Sequence, residues 1–102
     1  MYIDFKTTKL KKCYLKQRTR EKTWKGTVPG KYVEAVNLLQ VVDRPLDLSA
    51  FRQFEYEELK HDRKGEHSLK LGRRERLIFT VRDGKDALIA RIEEVSTTHY
   101  DH

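Results

Sequence analysis

Arg76-Leu77-Ile78-Phe79-Thr80-Val81-Arg82-Asp83-Gly84-Lys85 is the stretch on which the fold class turns. Leu77, Phe79 and Val81 alternate with Arg76, Ile78 and Thr80, which is the period of two that a pleated strand imposes. Asp83-Gly84 is the dipeptide that a two-residue hairpin of the mirror-image turn type favours, because both central residues take positive φ. The stretch therefore predicts a strand followed by a tight return. Three further runs of strand character, 56–60, 68–71 and 87–92, flank the one at 77–82 and are separated from it by turn-type residues.

Upstream of 56 the period changes. Tyr32, Ala35, Val36 and Leu39 recur at the spacing of one helix face, and Val42 lies close enough to extend it. This helix should begin after the break Gly26-Thr27-Val28-Pro29-Gly30 and stop before Asp43-Arg44-Pro45, since a residue preceding proline is pushed out of the helical region. Before it, segment 6–25 carries nine basic residues opposed only by Glu21. There Thr7 or Thr8 can cap a thinly apolar helix whose stripe is Leu10, Cys13 and Tyr14, fraying toward Trp24. Tyr2-Ile3-Asp4-Phe5 alternates as a short first strand does, and 46–54 reads as irregular, with Phe51 and Phe54 as anchors.

Helices first and consecutive strands after predict an α+β domain, with an N-terminal helix hairpin covering one face of a small, mostly antiparallel sheet of about four strands. If Leu77, Phe79 and Val81 meet the helices, Arg74 and Arg76 point away, toward a basic, concave, solvated face.

A chain of 102 residues is one domain, 1–102, too short for two cores. Lys+Arg 22 against Asp+Glu 16 gives +6, so the field around it attracts anions, of which RNA is the expected one. No apolar run approaches the roughly 20 residues of a spanning helix, and the first dozen residues are too polar for a signal peptide, so the expected setting is cytoplasmic and without a membrane. The single cysteine, Cys13, excludes an intramolecular disulfide and a cysteine-rich zinc site, and reads as a small core residue.

The densest polar cluster runs Leu59-Lys60-His61-Asp62-Arg63-Lys64-Gly65-Glu66-His67-Ser68-Leu69-Lys70-Leu71 and continues through Gly72-Arg73-Arg74-Glu75-Arg76-Leu77-Ile78-Phe79. Leu59, Lys60, Asp62, Arg63, Gly65, Ser68, Arg76 and Phe79 resemble the Leu-Lys-Gly-Asp-Arg-x-Gly-x-x-Ser-Ile run and following Arg-Ile-x-Phe strand of the HigB branch of the RelE/ParE toxin superfamily. That branch commonly has Gly where this chain has His61 and an aromatic where it has His67. HigB-type chains often end in Asp-Tyr-His soon after the last strand, and the Tyr and His positions fall here on Val95 and Ser96. The chain instead ends His99-Tyr100-Asp101-His102, resembling the YoeB relatives.

The resemblance implies a RelE-like fold and a toxin of a type II toxin–antitoxin module: an endoribonuclease, or mRNA interferase, cutting messenger RNA on the ribosome and arresting translation. It implies no cofactor, and as partners mRNA, the ribosome and a cognate antitoxin, HigA-like or another small protein encoded nearby. Two alternatives stay open: a ParE-like toxin that is not a nuclease and inhibits DNA gyrase, and a degenerate member that only binds its antitoxin.

Metal-free RNA cleavage needs a base for the 2′-OH, a cation for the charge growing on phosphate and an acid for the leaving oxygen. Arg76 is the candidate phosphate clamp, Lys60 the charge stabiliser or base, and His99 the acid, with Tyr100 stacking on a base or assisting proton transfer. A lysine acts as a base near neutrality only where neighbouring cations lower its pKa, so Glu57 is an alternative base. Arg63, Lys64, Lys70, Arg73 and Arg74 are candidate RNA contacts. The plainer reading of each is a solvated charge, and of His99 a terminal residue without a role. His61 and His67 read as surface residues rather than metal ligands, because no cysteine or carboxylate spacing completes a zinc set.

Overall fold

The computed structural model describes residues 1–97. Helix α1 (Thr8–Leu15) is capped by the Thr7 hydroxyl, which accepts from the Leu10 amide at 3.1 Å, and it buries Leu10 and Cys13. The single fraying helix expected here is in fact two, because Lys16 takes an extended conformation before α2 (Gln17–Thr23). The break is stabilised by Arg20, whose Nε and guanidinium NH2 donate to the Cys13 and Tyr14 carbonyls at 2.8 and 2.7 Å. Carbonyls at the end of α1 that the helix cannot satisfy thus find a donor on α2.

Helix α3 (Val28–Val41) starts inside the segment read as a break. Pro29 falls in its first turn, where a missing N–H leaves no bond unmade. Tyr32, Ala35, Val36 and Leu39 are buried as their spacing predicts, and the helix ends before Asp43. Tyr32 donates its hydroxyl to the Leu10 carbonyl at 2.7 Å and packs on Trp24 with ring centroids 4.6 Å apart, which ties α3 to α1. Burial raises the Tyr32 phenol's pKa. The stretch read as irregular forms two 3-10 turns, Pro45–Ala50 and Arg52–Phe54, pinned by the buried Leu48 and Phe54.

Five strands form one sheet: β1 (Tyr2–Phe5), β2 (Glu57–Glu58), β3 (Glu66–Lys70), β4 (Arg76–Asp83) and β5 (Leu88–Ser96), in the order β1-β5-β4-β3-β2. β1 runs parallel to β5 and every other pairing is antiparallel. The N-terminal strand joins the sheet that was expected to have about four. β5 continues four residues past the predicted end at 92, pairing with β4 as far as Ser96, with a shift of register at Ile78/Phe79.

The predicted two-residue turn at Asp83-Gly84 does not form. Asp83 pairs with Leu88, leaving a four-residue loop, and Gly84 is not among the glycines with positive φ. Its role is close approach: a Cβ there would stand 2.3 Å from the Ala87 carbonyl oxygen.

Leu69, Leu77, Phe79, Ala90 and Ile92 meet Leu10, Cys13, Tyr32, Val36 and Leu39 in one cluster between sheet and helices. Each fully buried Leu, Ile, Val or Phe among them contributes about 1.5–3 kcal/mol relative to exposure. The predicted facing of β4 therefore holds, and Arg76, Ile78 and Thr80 lie on the side away from the helices.

Candidate functional site

On that helix-free side, register aligns Glu57, Ser68, Ile78 and Glu94 in one row across β2, β3, β4 and β5. The next row along the strands is Lys70, Arg76 and Ser96. Ser68 and Ile78 are fully buried at the centre, and Leu59, also buried, belongs to the same side and not to the helix-facing cluster.

Arg76 leans from its row into the first. Its Nε donates to the Ser68 hydroxyl at 2.9 Å, and its NH2 donates to the Glu55 carbonyl at 2.6 Å. Glu55 presents that carbonyl from a left-handed conformation, φ 40° and ψ 58°, while its carboxylate accepts from Lys70 at 2.9 Å. The Lys70 ammonium beside it holds the Glu55 carboxyl below the usual range. Among the described residues, two of the five guanidinium donors of Arg76 are committed, so the fork is oriented and still able to bind an anion bidentately. Glu57, half-buried, stands directly across from Ser68 in register, so an acidic residue on β2 and Arg76 on β4 flank one buried serine on β3.

Lys60 takes a different place. The Leu59 amide bonds to the Glu66 carbonyl at 2.9 Å, so Lys60 follows at the far end of β3 from Arg76, roughly 10 Å by strand rise from the level of Ser68. It is exposed at the start of a 3-10 turn (His61–Arg63) and lines the rim, while Glu57 lines the centre. The candidate RNA contacts likewise divide between two ends. Lys64 and Arg63 sit with Lys60, and Arg63 is engaged by Glu66 and by Glu94. Arg73 and Arg74 are exposed in the β3–β4 turn beside Lys70 and Arg76. His99 and Tyr100 lie outside the described residues. β5 runs to Ser96, level with Arg76, and His99 follows three residues later in the sequence.

The face is neither simply basic nor solvated throughout. Arg63 pairs with Glu66 and Glu94, Lys70 with Glu55, and Arg82 with Asp4, so opposite charges interleave around a buried Ser68–Ile78 centre. The positive surplus resides elsewhere. Segment 6–25 has nine basic residues to one acid in a chain whose total surplus is six, which leaves the remainder slightly acidic. Attraction of a polyanion is thus centred on α1 and α2 rather than on the sheet.

Two of the positions at which the sequence departs from the HigB motif, His61 and His67, have structural explanations. His61 adopts φ 58°, in the left-handed region that glycine enters without penalty. We expect His61→Gly to be neutral to stabilising by up to about 1 kcal/mol, the relief of left-handed strain offset by glycine's greater unfolded-state freedom. A fall in thermal midpoint would contradict this.

His67, read as a surface residue, is half-buried between rings. It stacks on Phe79 at 5.0 Å and 18° and on Tyr56 at 5.9 Å and 17°, with Nδ1 at 2.8 Å from the Tyr56 hydroxyl. Desolvation holds its pKa below the usual histidine value against the opposing pull of Glu58, and burial pushes the Tyr56 phenol up to about 12. Sequence reasoning missed Tyr56 and the Glu55 carbonyl. The latter leaves no side-chain signal, and the former is one aromatic among many until register sets it beside His67.

Among the described residues no group of three or more His, Cys, Asp or Glu could hold a metal ion, and no helix is long and apolar enough to cross a membrane. No family model and no curated protein matches the chain. Solved structures do. A YoeB–YefM complex from Staphylococcus aureus contains a chain 25% identical to this one, covering 98% of both, with a TM-score of 0.57. A YoeB/ParE toxin from Agrobacterium tumefaciens is 17% identical over 98% of this chain and 100% of its own, with a TM-score of 0.56. A YoeB dimer from Staphylococcus aureus is 20% identical over 98% of both chains, with a TM-score of 0.53. The fold of this chain is accordingly the YoeB/RelE-like toxin fold, and its structural neighbours are YoeB and YoeB/ParE toxins.

Proposed function

We propose, from that likeness of fold, that the chain is the toxin of a type II toxin–antitoxin module and an endoribonuclease that cuts messenger RNA on the ribosome in the cytoplasm. The observation that carries the proposal is the juxtaposition of Glu57 and the fixed Arg76 guanidinium on either side of Ser68, on the side of the sheet away from the helices. In this reading Glu57 takes the proton of a 2′-OH, whose oxygen attacks the adjacent phosphorus. The bond from phosphorus to the 5′ oxygen breaks, leaving a cyclic phosphate on one product. His99 returns a proton to the departing 5′ oxygen, and Arg76 neutralises the charge that builds on phosphate.

Lys60 serves from the rim as a charge stabiliser rather than as the base, and Tyr100 stacks on a nucleobase. Arg63 and Lys64 at one end of β3, and Lys70, Arg73 and Arg74 at the other, line a path for the phosphate backbone across the Ser68 row. A cognate antitoxin is part of the proposal, as YefM accompanies YoeB in the Staphylococcus aureus complex. Within the superfamily, the motif of 59–79 favours the HigB branch and the His99-Tyr100 ending the YoeB branch. A gyrase inhibitor of the ParE kind has no use for a guanidinium set beside a carboxylate, so no feature favours it.

Brief expression without an antitoxin, followed by mapping of cellular transcript 5′ ends, tests the proposal. New ends within coding sequences, accompanied by translation arrest and unchanged DNA supercoiling, are expected. Growth arrest with intact transcripts and altered supercoiling would transfer the chain to the ParE class.

A further inference from the structure

We infer that Tyr56 and His67 are positioning residues for Glu57: their side-chain hydrogen bond, stacked on Phe79, locks β2 so that Glu57 stays in register with Ser68, the serine to which Arg76 donates. The inference rests on the function proposed above.

β2 is an edge strand of two residues, with two register pairs on β3 and one further bond from the Leu59 amide to Glu66. Left-handed residues bracket it, Glu55 before and His61 after. A strand so short, at the end of the strand order, belongs to the least stable part of a sheet and opens first. Glu57 nevertheless needs a fixed position, since a displacement of about 1 Å at a reacting group can lower a rate about 10²-fold.

The brace supplies what the ladder lacks. The Tyr56 hydroxyl and His67 Nδ1 lie 2.8 Å apart, and the rings of Phe79 on β4, His67 on β3 and Tyr56, just before β2, form a continuous stack. Successive side chains on a strand point to opposite faces, and here each ring is the chain neighbour of a residue in the site row: Tyr56 of Glu57, His67 of Ser68, Phe79 of Ile78. The stack therefore lies beneath the row it organises. Glu58, which pairs with His67 in register, is the charged group on that side of β2. A phenylalanine in place of either partner retains a ring for stacking and removes the hydrogen bond.

Tyr56→Phe and His67→Phe test this with three measurements: kcat and KM for cleavage on messenger-programmed ribosomes, hydrogen exchange at the Leu59, Leu77 and Phe79 amides, and thermal midpoint. In both variants kcat should fall about tenfold or more with KM little changed. Exchange at Leu59 should accelerate while the β4 amides keep their protection. Wild-type kcat in both variants overturns the inference, whether or not Leu59 exchange changes. A uniform loss of protection with a lowered midpoint overturns it too, because the pair is then a general stabiliser. If the wild-type protein itself does not cleave, the proposed function fails, and Leu59 exchange alone decides whether the brace holds β2.

Discussion

Replacing Arg76 by alanine is expected to slow cleavage by about 10²–10³-fold or more, the loss that follows removal of a preorganised donor from developing charge. The guanidinium is held in advance by Ser68 and the Glu55 carbonyl, so no reorganisation is needed when charge appears on phosphate. Arg76→Ala has a second consequence. The buried Ser68 hydroxyl loses its guanidinium partner, a change worth about 1–3 kcal/mol, which lowers the thermal midpoint of a domain this size by several degrees. Single-turnover rates should therefore be compared well below the variant's midpoint. Arg76→Lys separates the two contributions, since it retains the charge and loses the planar fork. An undiminished rate for Arg76→Ala in folded protein removes that residue from the site.

Glu57→Gln is expected to slow cleavage by about 10²–10⁴-fold, the usual contribution of a positioned general base. The substitution conserves shape, so the thermal midpoint should move little. Lys60→Ala is the informative comparison. With Glu57 level with Ser68 and Lys60 at the rim, the base role predicts the larger loss of rate in Glu57→Gln and the smaller in Lys60→Ala. The reverse pattern would return the base role to Lys60.

These two residues illustrate how unevenly the site was legible. The facing of Arg76, away from the helices, was readable because strand alternation separates it from Leu77 and Phe79. Lys60 was given first place over Glu57 on the motif of 59–79, yet sequence adjacency does not reveal which residue of a short segment lies opposite Ser68. Only the pairing of β2 on β3 decides that, and a shift of one residue would turn Glu57 to the other face. The same limit explains the expected basic sheet face. Composition counts charges, while ion pairs such as Lys70–Glu55 and Arg82–Asp4 form between residues distant in sequence.

What the sequence by itself determined is whatever depends on near neighbours along the chain: the helix face of Tyr32, Ala35, Val36 and Leu39, the alternation of β4, the cap at Thr7 and the end of α3 before Asp43. Side-chain periodicity and local backbone sterics set these features, and both act over a few residues. Tertiary structure alone decided the break at Lys16, the four-residue loop after Asp83, the seating of His67 between Tyr56 and Phe79, and the placing of Glu57 opposite the serine to which Arg76 donates. Each depends on which strands or helices lie side by side, and that is fixed by burial of a shared core whose contributors are scattered along the whole chain.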